Sequence, residues 1–234
     1  MAVPFLEISK LHGWYGESHV LHGVDFKVDE GEVVTLLGRN GAGRTSTLRA
    51  IMGLIGSRTG SIKVRGSETV GMATHQIARL GLGYCPEERG IFASLSAEEN
   101  LLLPPQLADG GMSVDEIYTM FPNLKERRAS PGMRLSGGEQ QMLAVARILR
   151  SGAKLLLLDE ISEGLAPVIV QMLARTIRTL RERGFTIVMV EQNFRFAAPL
   201  ADQLYVMEHG RIVESFKAAE LAAKMDMLHE YLGV

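Results

Sequence analysis

The sequence predicts an α/β fold built on a mainly parallel sheet, and three observations predict it. Short, continuously apolar runs occur at Val33 to Leu37, Leu155 to Leu158 and Thr186 to Val190. Between them apolar residues recur at helical spacing, and Gly, Pro and charged clusters punctuate the joins. Continuous apolar strands are strands buried on both faces, and strands that alternate with helices join most simply in parallel.

Taken in order, residues 1–85 carry β-type runs at Phe5 to Ser9, Val20 to Val28, Val33 to Leu37 and Ile62 to Val64. One helix lies among them, predicted by Leu48, Ile51, Met52 and Ile55 at i, i+3, i+4, i+7. Residues 86–150 turn helical. They hold capping boxes at Ser96 to Glu99 and Ser113 to Glu116, separated by Pro104-Pro105 and Gly110-Gly111. A third box, Ser136 with Glu139, opens a helix that buries Met142, Val145, Ala146 and Leu149. From residue 151 strands return, around a helix carrying Ile169, Met172, Leu173, Ile177 and Leu180 and closed by Gly184. Leu204 to Glu208 and Arg211 to Glu214 read as a hairpin joined at His209-Gly210, and Ala218 to Leu232 as a terminal helix. The division expected is a discontinuous core of 1–85 and 151–217, a helical part of 86–150 and a terminal helix over 218–234.

Directly after the strand at Val33 to Leu37 stands the loop Gly38-Arg39-Asn40-Gly41-Ala42-Gly43-Arg44-Thr45-Ser46. Glycines let successive N–H groups turn toward an anion, and the helix that follows adds its positive end. The phosphate-loop pattern G-x-x-x-x-G-K-[ST] asks for lysine where this chain has Arg44. A tight strand-to-helix connection is the plainer reading of such a turn.

Two further motifs favour the nucleotide reading. Leu135-Ser136-Gly137-Gly138-Glu139-Gln140-Gln141 followed by an apolar strand ending in Asp159-Glu160 resembles the signature and the magnesium-binding strand of the ABC-transporter ATPases. The resemblance covers nearly the whole chain. It implies a P-loop NTPase (RecA-like) core, an N-terminal antiparallel β part and a helical signature subdomain. Ser162 to Pro167, with Glu87 where most relatives have glutamine and Gln192 where most have histidine, looks like the ATPases of branched-chain amino acid importers.

For the site, the resemblance implies ATP and Mg²⁺. Gly38, Asn40, Gly41, Ala42, Gly43, Arg44, Thr45 and Ser46 would cradle the phosphates. Thr45, Asp159 and Glu87 would hold the metal, Glu160 would polarise the attacking water, and Gln192 would sense the γ-phosphate. Tyr15 would stack on the adenine, and Ser136, Gly137 and Gly138 would reach the nucleotide of a second subunit. The partners implied are a second nucleotide-binding subunit, integral-membrane permease subunits and, indirectly, a periplasmic binding protein. The location implied is the cytoplasmic face of the membrane. Two departures from the family pattern stand out: Arg44 for lysine, and Ile161 for the proline that normally follows the glutamate.

Composition narrows the alternatives. With 25 basic and 27 acidic residues the chain gives no sign of nucleic-acid binding. A single cysteine, Cys85, excludes an internal disulfide and reads as a buried strand residue. No apolar run nears the ~18 residues of a membrane span, and no signal-peptide pattern is expected. The six histidines lack metal-ligand spacing. Two functions remain in view: an importer motor ATPase, and a nucleotide-binding subunit that Arg44 leaves deficient in hydrolysis. A repair or translation ATPase would need a long coiled coil or tandem cassettes, and a kinase has no use for the signature.

Overall fold

A computed structural model describes residues 3–233. Two sheets form its frame. Strands β1 (Leu6–Tyr15) and β2 (Ser18–Val28) pair as an antiparallel hairpin. The chain then enters the second sheet through β3 (Val33–Leu37) and leaves it through helix α1 (Arg44–Ile51). Strands β4 (Ser57–Val64) and β5 (Ser67–Glu68) complete the first sheet, in the order β2-β1-β4-β5. After α2 (Thr74–Ala78), β6 (Leu82–Cys85) returns the chain to the second sheet.

A helical segment follows, with α3 (Ala97–Leu102), α4 (Val114–Met120), α5 (Pro122–Glu126) and α6 (Gly137–Arg150). The three capping boxes are formed: the Ser96, Ser113 and Ser136 hydroxyls accept from the third helical N–H, and Glu99, Glu116 and Glu139 reach back. Then come β7 (Leu155–Asp159), α7 (Pro167–Glu182), β8 (Thr186–Glu191), α8 (Phe194–Ala197), the hairpin β9 (Gln203–Glu208) and β10 (Arg211–Lys217), and α9 (Met225–Leu232).

The second sheet has the order β10-β9-β3-β8-β7-β6, parallel throughout except for the β9/β10 hairpin. Its strands read as unbroken apolar runs because both faces are covered. Leu156, Leu158, Ile187 and Met189 face α6 and α7, whereas Leu155, Leu157, Val188 and Val190 face the antiparallel sheet and α1. Each fully buried leucine of β7 contributes about 1.5–3 kcal/mol of apolar transfer.

Several elements differ from the sequence expectation: β2 starts at Ser18, β4 starts at Ser57 and β10 runs on to Lys217, and three further differences have a local cause. β1 runs on to Tyr15 rather than ending near Ser9, because register shifts around Lys10 and Leu11 let the strand bend and keep pairing with both β2 and β4. α1 ends at Ile51, since Gly53 takes φ 71°, and Ile55 is buried from the following loop. The terminal helix is divided into a 3₁₀ stretch, Ala218–Lys224, and α9; residue 234 lies outside the described residues.

Candidate active site

The site is built where β3, β7 and β8 end together. After β3, the glycine-rich loop turns back on itself, with the Ala42 N–H donating to Arg39 O at 3.0 Å. Gly38 is required by close approach: a Cβ there would lie 2.6 Å from the Met207 carbonyl oxygen. Gly43 has φ 103°, open to glycine at little cost, and delivers the chain into α1. The β9/β10 turn closes on the loop from the side, with the Gly210 N–H donating to Ala42 O at 2.9 Å and Gly210 O accepting from the His22 N–H at 2.8 Å. The result is a cleft of 610 Å³ lined by residues 40–46.

Arg44 is buried, and one of its guanidinium nitrogens meets Glu160 Oε1 at 2.6 Å and Asn40 Oδ1 at 3.2 Å. Its other terminal nitrogen, Nη1, is buried without a hydrogen-bond partner among the described residues. An orphaned buried donor at the start of α1, directly after a glycine-rich loop, fits an anionic ligand, and phosphate oxygens match the guanidinium fork. Beside it, the Thr45 hydroxyl donates to Asp159 Oδ1 at 2.8 Å, and the Tyr84 hydroxyl donates to Asp159 Oδ2 at 2.8 Å. Burial raises the Asp159 pKa while these two hydrogen bonds oppose it.

Glu87, Glu160 and Glu163 meet at the cleft, with one carboxylate oxygen of each within 4.8 Å of those of the other two. Burial, a hydrogen bond with Glu163 and the neighbouring carboxylates raise the Glu160 pKa against the pull of Arg44. Glu87 is raised by the same causes, burial first and then Glu163 and Asp159. Oxygen donors converging beside a phosphate loop form a set that fits a hard divalent cation.

Of the residues singled out in the sequence, Asn40 to Ser46, Glu87 and Glu160 share one cleft, and Asp159 lies under it. Gly38 shapes the loop without lining the cleft. Gln192 lines a second cavity of 690 Å³, which shares Glu160 and Glu163 with the first. Tyr15, at the end of β1, lines neither; its neighbour Trp14 stacks on His19 at 4.4 Å, and it is His19 and His22 that wall the cleft. Ser136 is exposed at the start of α6, and Ser136, Gly137 and Gly138 line neither cavity. Cys85 is buried, and burial pushes its thiol up to about 12, far from nucleophilic use.

Sequence reasoning missed Tyr84, His19, His22 and Glu191, and it read Glu163 as part of an expected subunit contact whereas the structure sets it at the cleft. Tyr84 lies within β6 (Leu82–Cys85), two residues before Pro86. No readable signal marked the other three. Glu191 is buried at the end of β8 and accepts from the Ser162 N–H at 3.1 Å, with 2.8 Å between its Oε2 and the Ser162 hydroxyl. Burial raises its pKa from 4.5 to about 8 against these hydrogen bonds. The folded chain thus holds this proton more tightly than the unfolded chain. The associated stability is complete below pH 4.5 and is lost as pH rises through about 8. Thermal melts across that range are expected to show Tm falling with pH, and Glu191→Gln to flatten the fall.

A phosphate loop feeding a helix, a buried aspartate bound to the loop threonine and a glutamate next to it, all at the ends of parallel strands, define a nucleotide-binding ATPase cassette. A family model described as ABC transporter matches residues 21–163. The chain is 42% identical to the high-affinity branched-chain amino acid transport ATP-binding protein BraG of Pseudomonas aeruginosa, over 97% of this chain and 99% of that protein. It is 31% identical to the lipopolysaccharide export system ATP-binding protein LptB of Escherichia coli, over 94% and 93%. Its fold matches a dimeric ATP-binding cassette solved in a post-hydrolysis state with ADP and Pi, with a TM-score of 0.80, 22% identity and coverage of 91% and 98%. The chain belongs to the ABC transporter family, as an ATP-hydrolysing ATP-binding subunit. These comparisons lend no support to a hydrolysis-deficient regulatory subunit. No helix among the described residues is long and apolar enough to cross a membrane.

Proposed function

We propose that this chain is the ATP-hydrolysing motor of an importer for branched-chain amino acids or related small polar solutes. The observation that carries the ATPase reading is the convergence of Arg44, Thr45 with Asp159, and Glu160 in one cleft. The solute class is supported by the 42% identity to BraG along almost the whole of both chains, and the likeness to LptB keeps it at the level of a class.

The loop N–H groups and Arg44 bind the β and γ phosphates. Thr45, Asp159 and Glu87 would hold Mg²⁺, which would supply charge neutralisation at the phosphates. Glu160 takes the proton of the attacking water; its raised pKa suits that task better than an ordinary carboxylate would. Gln192, next to Glu191 and facing the cavity that shares Glu160, reads the γ-phosphate from the other side.

Exposed Ser136, with the glycines that follow it, completes the nucleotide site of a second subunit across a two-fold contact. ATP favours the closed pair and hydrolysis releases it, so that docked permease subunits at the inner membrane face are driven between states, with a periplasmic binding protein supplying solute. Sedimentation tests the pairing: Glu160→Gln with Mg-ATP is expected to run as a dimer, and adding Ser136→Arg to return it to monomer while ATP affinity stays within about threefold, because the bulky cation blocks only the facing site. A monomer under both conditions contradicts the paired arrangement.

A further inference from the structure

Glu160 stands in a conformation that its own residue type disfavours. It has φ 47°, in the left-handed region, without being glycine. Such a residue stays in place only where its surroundings hold it there. On one side, the Glu160 N–H donates to Val190 O at 2.9 Å, and on the other the Glu163 N–H donates to Glu160 O at 3.2 Å. The Glu160 side chain is held by Arg44 at 2.6 Å and Ile161 is packed in the core, and a further hold, on the residue after Ile161, comes from Glu191. Its two oxygens are both committed to Ser162, one to the backbone N–H at 3.1 Å and one to the hydroxyl at 2.8 Å.

We propose that Glu191 is a positioning residue for the water-polarising carboxylate, holding the Glu160-Ile161-Ser162 turn through its double hydrogen bond to Ser162. The inference rests on the ATPase reading above. Glu191 makes no ion pair among the described residues, and it is 2% exposed. A buried carboxyl group without a cation is expensive compared with an apolar side chain, so packing alone gives no reason for it. Its two contacts fall on one residue, two positions after Glu160. The turn also lacks the ring that would otherwise stiffen it, since Ile161 stands where the family pattern has proline. A two-point hydrogen bond from β8 supplies that constraint from outside the turn. It also ties the turn to the strand that leads directly into Gln192, so both residues facing the γ-phosphate share one support.

Steady-state phosphate release and ATP affinity, measured well below the melting temperature on the full chain, test this. Glu191→Ala is expected to lower kcat by roughly 10²-fold, the scale of a misplaced reacting group, while ATP Kd stays within about threefold. Glu191→Gln keeps the shape and an acceptor for the Ser162 N–H, and is expected to stay within about threefold of the parent. Adding Ile161→Pro to Glu191→Ala is expected to recover kcat by about tenfold, because the ring replaces the lost constraint. Should Glu191→Ala not fold, Ser162→Ala removes one of the two bonds and is expected to lower kcat severalfold with Kd unchanged. An active parent whose kcat survives both Glu191→Ala and Ser162→Ala overturns the positioning role alone. A loss in Glu191→Gln equal to that in Glu191→Ala overturns it in favour of a charge effect. A parent without turnover overturns the ATPase reading beneath it.

Discussion

Arg44→Ala is expected to cut ATP turnover by roughly 10²–10³-fold, the scale of losing one preorganised donor to developing phosphate charge. The guanidinium is buried, and its free Nη1 has no partner among the described residues. Its other end is held by Glu160 at 2.6 Å and Asn40 at 3.2 Å. Alanine removes both the phosphate donor and the cation that faces the partly buried Glu160 carboxylate. Arg44→Lys tests a different property. Lysine presents a compact ammonium on a flexible stem, whereas arginine is a wide planar fork that must share itself between phosphate and Glu160. The lysine variant is expected to raise kcat by about tenfold over the parent, with ATP affinity preserved. Phosphate release at saturating ATP and equilibrium titration with a fluorescent nucleotide separate the two terms. An alanine variant as active as the parent would remove Arg44 from the site's chemistry.

Glu160→Gln is expected to abolish steady-state turnover, with a fall of roughly 10²–10⁴-fold in kcat and ATP affinity retained, because only proton transfer from water is lost. The amide keeps an oxygen for Arg44 and the backbone bond to Val190, so the turn survives the substitution. Its effect should therefore fall on kcat and leave binding intact, which distinguishes a chemical role from a structural one. A matched loss of nucleotide affinity would point instead to collapse of the cleft.

What the sequence made legible follows from periodicity and local chemistry. The parallel strands were readable because both their faces are buried, which produces runs such as Leu155 to Leu158. The capping boxes were readable because serine and glutamate satisfy each other within one turn. The phosphate loop and Asp159-Glu160 were readable as motifs. The contacts that give these residues their character were not. Arg44 and Glu160 lie 116 positions apart, on elements that follow β3 and β7, with β8 between those strands. Nothing local in either segment announces their ion pair. Tyr84 reaches Asp159 only because β6 pairs with β7, with Cys85 opposite Leu158. Glu191 follows the run Thr186 to Val190 that marked the strand, and its hydrogen-bond partner Ser162 is 29 residues away. The bend that carries β1 on to Tyr15 was hidden by Lys10 and His12, polar residues that a simple alternation excludes from a strand.

This cleft is proposed to hydrolyse ATP with arginine in place of the phosphate-loop lysine. Steady-state phosphate release from Mg-ATP by the parent chain, beside Glu160→Gln, tests it most directly. Turnover is expected in the parent, and Mg²⁺ removal and Glu160→Gln are each expected to abolish it while nucleotide stays bound. A parent that binds ATP without turnover, or a Glu160→Gln chain that hydrolyses as fast as the parent, would contradict it.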